Sequence, residues 1–204
     1  DDFHGLGIYG TPTDCVKLAL SMLLEKKPDI VMSGINAGPN VGPDILYSGT
    51  VGAATEACHQ GLASMAFSND DESQTDIQSM ALAESIDWSR IPKGRVINVN
   101  YPKGPLSKNR GLRVCRQTTA VWKNDYLERR DPRGSRYWWL MGEIPPETIN
   151  AGSDKDLLSR GFITPCVSIS RTKTPYGFWT PCSFLKTETK SFLNCCLNAK
   201  SVIH

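Results

Sequence analysis

The sequence predicts an α/β fold, a mostly parallel sheet sandwiched by helices with an antiparallel hairpin projecting from it. Two observations carry this expectation. Helical and strand patterns alternate through the first hundred residues, which predicts a parallel sheet covered on both faces. The second half then changes to aromatic and β-branched runs around a tight turn, the pattern of a hairpin. With 40% hydrophobic residues in 204, the chain holds enough apolar material for a sizeable core.

The elements follow in order. Thr13 or Asp14 can cap a first helix, with Pro12 just before it. Val16, Leu18, Ala19, Leu20, Leu23 and Leu24 supply its apolar face, and it runs out at Lys26-Lys27-Pro28. Asp29-Ile30-Val31-Met32 is a short apolar run between Pro and Gly, as expected of a buried parallel strand. From Ser33 to Thr50, four glycines and two prolines predict a long shaped loop. Thr50 to Gly61 reads as a helix and Leu62 to Phe67 as a strand. Residues 69–76 form a polar loop before a weaker helix near 77–86, and a strand at 95–102 ends on Pro102. Leu112–Thr118 has the look of a further strand, and Tyr126–Leu140 of a hairpin turning at Asp131-Pro132-Arg133-Gly134. The hairpin is expected to pack between subunits or to roof the site.

Charge and cysteine usage narrow the function classes. A formal charge of +2 argues against a dedicated nucleic-acid binder. No stretch approaches the ~18 apolar residues of a membrane helix, and the opening Asp1-Asp2-Phe3-His4 does not read as a signal peptide. Seven cysteines with no CxxC pair read as reduced thiols of a cytoplasmic protein. Ser33 and Ser48 sit in no G-x-S-x-G motif, and the three histidines offer no partner for a catalytic serine. His59 reads as a helix-end residue. Trp122, Trp138 and Trp139 could stack on a base, but near a hairpin they suit packing or an interface better. Arg129, Arg130 and Arg133 fit a solvated hairpin or a subunit contact better than phosphate.

The segment from Ser33 to Thr50 carries the chemistry. It begins at the C-terminal end of a predicted parallel strand, where open α/β sheets place ligands. Its amide oxygens, such as that of Asn36, suit hard divalent cations. Ser48-Gly49-Thr50 leads into a helix, so hydroxyls and free N–H groups there can receive an anion. A cation beside a phosphate cradle is the apparatus of phosphoester hydrolysis. Glycine and asparagine are also ordinary turn residues, so the same loop could simply redirect the chain.

Gly10-Thr11-Pro12-Thr13-Asp14-Cys15-Val16, then Pro28 through Asn40, then Tyr47-Ser48-Gly49-Thr50-Val51 resemble the SurE survival-protein family. Weaker echoes continue through Asn98-Val99-Asn100-Tyr101-Pro102, Asp131-Pro132-Arg133-Gly134, Ser153-Asp154 and Gly161-Phe162. The resemblance spans roughly residues 8–165 and implies a Rossmann-like core, 5′/3′-nucleotidase activity on nucleoside monophosphates and a divalent cation, Mg²⁺ or Mn²⁺. It further implies a homodimer or homotetramer, with no membrane and no nucleic-acid duplex as partner. Matched position by position, Asn36 is the metal-ligating asparagine and Asn40 a second active-site asparagine. Ser48, Gly49 and Thr50 match the phosphate-facing loop.

The family's remaining metal ligands, two aspartates of an Asn-Asp-Asp-Gly motif and a serine of an Arg-Ser-Gly motif, have no counterpart here. Asp1-Asp2 is followed by Phe3 and stands only seven residues from Gly10, and Asp70-Asp71 reads as solvated surface. The expectation is therefore an N-terminally incomplete α/β domain over 1–165, with a hairpin extension near 112–140 and a divergent tail over 166–204. Without the aspartates, residues 1–204 are expected to be inactive or barely active, because Mg²⁺ relies on carboxylates. The rival expectation is a catalytically inactive relic that keeps the nucleotide-shaped loop, or an oligomerisation module.

Overall fold

The computed structural model describes residues 5–71 and 79–169. Helix α1, Pro12–Leu18, begins two to three residues earlier than expected: Thr11, not Thr13 or Asp14, is the cap. The Thr11 hydroxyl accepts from the Asp14 backbone N–H, and the Asp14 carboxylate accepts from the Thr11 backbone N–H and hydroxyl. Pro12 occupies the first helical position, where a missing N–H costs nothing. These hydrogen bonds from Thr11 hold the Asp14 carboxyl below its ordinary range. The helix continues as a π-helical turn, Ala19–Leu23.

The apolar face expected of α1 is not buried among the described residues. None of its residues is enclosed, and Leu18, Leu23 and Leu24 remain between 39% and 49% exposed. Its contact is instead with the glycines of α2, Gly49–His59: a Cβ on Gly49 would stand 3.2 Å from Pro12 Cγ, and one on Gly52 equally close to Thr13 Oγ1.

Strand β1 runs from Ile30 to Ala37, five residues beyond the expected strand end at Met32. It pairs in parallel with β2, Ala63–Asn69, and the register shifts between Ser33 and Asn36. Gly34 makes this bulge possible: its φ is +126°, and a Cβ there would run into the Phe67 carbonyl oxygen. The Gly34–Ile35 peptide is cis. Strand β3, Arg95–Tyr101, pairs in parallel with β2, and β6, Thr164–Ile169, is antiparallel to β3. The sheet order is β1-β2-β3-β6. Because β6 runs to Ile169, the sheet continues past residue 165, where the tail was expected to begin; residues 170–204 lie outside the described set.

Alternation along β2 and β3 places the core. Met65, Phe67, Ile97 and Val99 meet Leu82, Ala83 and Ile86 from around helix α3, Ser79–Ser85. On the opposite face, Ala66 and Val96 meet Val51, Ala54 and Cys58 of α2. The small Ala66 lets α2 lie close on the sheet. Strands β4, Lys123–Arg130, and β5, Arg136–Glu143, form a separate two-stranded hairpin in the expected place. Asp131 closes its turn by accepting from the N–H groups of Arg133 and Ser135.

The strand expected at 112–118 is reduced to isolated parallel bridges, Leu112 to Ile163, Cys115 to Cys166 of β6 and Arg116 to Ser153. Ile163 N–H donates to Gly111, Arg113 N–H to Ile163 and Cys115 N–H to Pro165. Between the last two, the reciprocal bond would need an N–H on Pro165, which has none, so the ladder is interrupted.

Candidate active site

The C-terminal ends of β1, β2 and β3 converge under the loop that joins β1 to α2. Asn36 stands at the end of β1, its Nδ2 donating to the carbonyls of Gly38 (2.8 Å) and Ala37 (3.2 Å). That fixes the amide so that Oδ1 faces the start of α2, where the Thr50 hydroxyl lies 3.5 Å away. Ser48 caps α2, its hydroxyl accepting from Val51 N–H at 3.2 Å. The N–H groups of Gly49 and Thr50 precede the first intrahelical bond, Gly52 N–H to Ser48, and point out of the helix end. The structure thus brings Asn36, Ser48, Gly49 and Thr50 to one place.

Asn40 is placed differently from an open side chain. It is buried, and β3 grips its backbone. The N–H of Asn40 donates to Asn100 Oδ1 at 2.7 Å, while its carbonyl accepts from Asn98 Nδ2 (2.7 Å) and Asn100 Nδ2 (3.0 Å). Asn40 Nδ2 donates to Ser68 Oγ at 2.7 Å. The amide nitrogen is therefore engaged, and Oδ1 is the atom left to meet a ligand.

Two further anchors hold the loop. Gly42 N–H donates to Asp154 Oδ2 (2.9 Å), and the Gly42 carbonyl accepts from Gln117 Nε2 (2.6 Å). Asp154 opens helix α4, Asp154–Ser159, and also accepts from the N–H groups of Thr118 and Lys155, both at 2.8 Å. It is the one buried acidic residue among those described. Burial pushes its carboxyl above the ordinary range, against the pull of those three backbone donors. Downstream, Trp122 Nε1 donates to Asp44 Oδ2 at 2.7 Å, which ties the base of the hairpin to the same loop.

Sequence reasoning missed Ser68, Asn98, Asn100, Gln117 and Asp154 as parts of this arrangement. The available signal was two asparagines at alternate positions of an otherwise apolar strand, which puts both amides on one face. Trp122 is spent on Asp44, and Trp138 and Trp139 lie exposed on the hairpin, each 6.0 Å from an arginine, Arg136 and Arg129 respectively. His59 is the last residue of α2. Cys15, Cys58, Cys115 and Cys166 form no disulfide; a hydrogen bond with Cys166 and burial push the Cys115 thiol up. Cys182, Cys195 and Cys196 lie outside the described residues.

The donor set does not fit a self-sufficient Mg²⁺ or Mn²⁺ site. Among the described residues no three His, Cys, Asp or Glu side chains come together. Asp71 accepts from Gly104 N–H, and Asp70 is exposed. Asn36 Oδ1 offers one neutral oxygen, which alone is a weak anchor for a hard cation. Among the described residues, no helix is long and apolar enough to cross a membrane.

Residues 1–124 match the family model of the survival protein SurE. The chain belongs to the SurE family. It is 63% identical over 173 residues to the 5′-nucleotidase SurE of Desulfovibrio desulfuricans, covering 80% of this chain and 67% of that one. With the 5′-nucleotidase SurE of Nitratidesulfovibrio vulgaris (strain Miyazaki F) it shares 56% identity over 167 residues, 79% of this chain and 62% of the other. Among solved structures, the SurE protein from Aquifex aeolicus is similar with a TM-score of 0.66 and 32% identity, covering 80% of this chain and 68% of that one. This SurE chain therefore spans about two thirds of the length of these relatives.

Proposed function

We propose that this chain carries the phosphate-holding half of a metal-dependent 5′-nucleotidase that hydrolyses nucleoside monophosphates. The observation that carries the reading is the meeting of Asn36 Oδ1 and the Thr50 hydroxyl, 3.5 Å apart, at the open N-terminus of α2. The N–H groups of Gly49 and Thr50 and the hydroxyl of Ser48 receive the phosphate oxygens, where the helix end favours negative charge. Asn40 is proposed to turn its amide oxygen toward the same group, and Asn36 to supply one oxygen ligand to a divalent cation, Mg²⁺ or Mn²⁺. That cation, when bound, would polarise the phosphoryl group. A lone neutral amide anchors a hard cation weakly, so residues 1–204 are expected to bind substrate and turn it over barely. That no acidic cluster stands among the described residues favours a second reading for the chain alone, a nucleotide-binding module without catalysis.

The protein is proposed to act in the cytoplasm as a homodimer or homotetramer. The exposed aromatic faces of β4 and β5 support subunit packing.

Titration of the isotopically labelled chain with AMP and Mg²⁺ tests the phosphate site. The amide signals of Asn36, Gly49, Thr50 and Val51 are expected to shift together, and Thr50→Val is expected to weaken binding about threefold to tenfold, the loss of one hydrogen bond. Unmoved signals at those residues would remove the site. In parallel, p-nitrophenyl phosphate turnover with Mg²⁺ or Mn²⁺ is expected to stay near background; brisk metal-dependent turnover would overturn the assignment of a half-site.

A further inference from the structure

Between Asp87 and Asp125 the sequence holds nine lysines and arginines and not one acidic residue, in a chain whose formal charge is only +2. Two of them, Arg110 and Arg113, lie at the end of the sheet that carries the candidate site, where their N–H groups donate to Gly161 and Ile163. The register places them there. Thr164, at the start of β6, pairs with Asn100, the residue that grips Asn40, and the segment 110–116 runs beside β6.

Three of the arginines converge on one ring. The guanidinium carbons of Arg110, Arg113 and Arg160 lie 5.2, 5.5 and 5.7 Å from the centroid of Phe162. Phe162 is buried, while all three arginines are exposed. Arg160 has an acidic partner, Asp156, at 3.3 Å. For Arg110 and Arg113 the described residues provide the ring and no carboxylate. All three charges share one ring, so they stand within roughly a Debye length (~10 Å) of one another, where salt screens their repulsion poorly. An aromatic ring attracts a guanidinium through its π-face and leaves the in-plane N–H donors free. Those donors match phosphate oxygens in pairs.

We propose that the Arg110–Arg113–Arg160 cluster around Phe162 is a docking surface for single-stranded nucleic acid, engaged through its phosphodiester backbone. Several separate guanidiniums call for a ligand with several phosphates, and a flexible strand can adjust its phosphate spacing to theirs where a rigid duplex cannot. The near-neutral whole chain is compatible with this, because the charge is local: it makes a weak, salt-sensitive contact rather than a dedicated binder. The assignment stands independently of the nucleotidase reading.

Fluorescence anisotropy with the full chain and a labelled 12-nucleotide single-stranded RNA tests it, beside a duplex of the same length and anionic vesicles of phosphatidylserine. The strand is expected to bind at low salt and to weaken about sevenfold to eighteenfold between 50 and 200 mM salt, the slope for two to three single-strand phosphate contacts. Arg110→Gln with Arg113→Gln is expected to weaken binding at least tenfold, and Arg110→Lys with Arg113→Lys to retain more than half of that difference. Circular dichroism on each variant separates a lost contact from a lost fold: if the glutamine pair unfolds the chain, Arg110→Gln and Arg113→Gln taken singly carry the comparison. Absence of strand binding, binding indifferent to these substitutions, or tighter binding to duplex or vesicles overturns the proposal. AMP binding at Thr50 is expected to be unaffected in the same variants, so a failure there concerns the nucleotidase site and not this surface.

Discussion

Asn100 does with one side chain what a neighbouring strand does with a peptide group, giving and receiving a hydrogen bond with the backbone of Asn40. Asn100→Ala removes both bonds and leaves a buried N–H without a partner, so a loss of about 1–3 kcal/mol is expected in urea unfolding; a midpoint within error of the parent would show that the loop does not depend on this grip. Asp154 is the other residue on which the loop hangs. In Asp154→Asn, an amide nitrogen must face an N–H of Gly42, Thr118 or Lys155, and a similar loss is expected. The pH dependence has a definite sign. Burial raises the folded carboxyl above its unfolded value, so the native chain holds the proton more tightly. The stability this contributes is complete below the ordinary carboxylate range and lost as pH rises through the folded value. Parent and Asp154→Asn unfolding, compared from pH 3.5 upward, should therefore draw closer as pH rises; a gap that widens would reverse the assigned direction.

Among the elements, α2, β2, β3 and the hairpin were legible in the sequence because each has a local cause: a capping serine, an apolar run ending at Pro102, an Asp-Pro-Arg-Gly turn. Three misreadings had non-local causes. The extension of β1 to Ala37 depends on Gly34 meeting the Phe67 carbonyl across the sheet, a contact that no local pattern announces. The 112–118 segment has strand-like residues, but its partner contains Pro165. The apolar side of α1 was read correctly as apolar, yet periodicity specifies a face and not what covers it. Glycines offer a sharp comparison at this scale. Gly42 has φ +57°, and a Cβ there would stand 2.8 Å from Thr118 Cγ2, whereas Gly134 has φ +86° with nothing near. Gly42→Ala should then cost appreciably more than the ~1–2 kcal/mol of backbone strain expected for Gly134→Ala. Equal shifts in thermal midpoint would show that Thr118 moves aside freely.

For the whole molecule, the parallel core followed from alternation, while the antiparallel β6 did not, since a closing strand reveals its direction only through its partner. The site was half legible. Its rim, from Asn36 to Thr50, is contiguous in sequence, but its support comes from β2, β3 and α4, more than a hundred residues away at the farthest, as in the bond of Gly42 to Asp154. The hairpin belongs to a separate sheet, and all of β5 is exposed. Replacing residues 124–142 with a short glycine-serine link is expected to shift the thermal midpoint by only a few degrees, the scale of about 1 kcal/mol. Sedimentation of the same variant is expected to give a lower mass than the parent, and an unchanged mass would remove the hairpin from subunit assembly.

The absent N–H of Pro165 has a kinetic consequence. The segment from Gly111 to Cys115 rests on β6 through three backbone hydrogen bonds that do not extend into a ladder. Such a strip opens without disturbing the β3–β6 pairing beneath it, so Arg113 and Cys115 should exchange their amide protons with solvent well before Cys166, which pairs with Asn98 of β3, does. Each opening uncovers the buried Leu112 and Cys115, so it costs more than the fraying of a surface loop and less than parting the sheet.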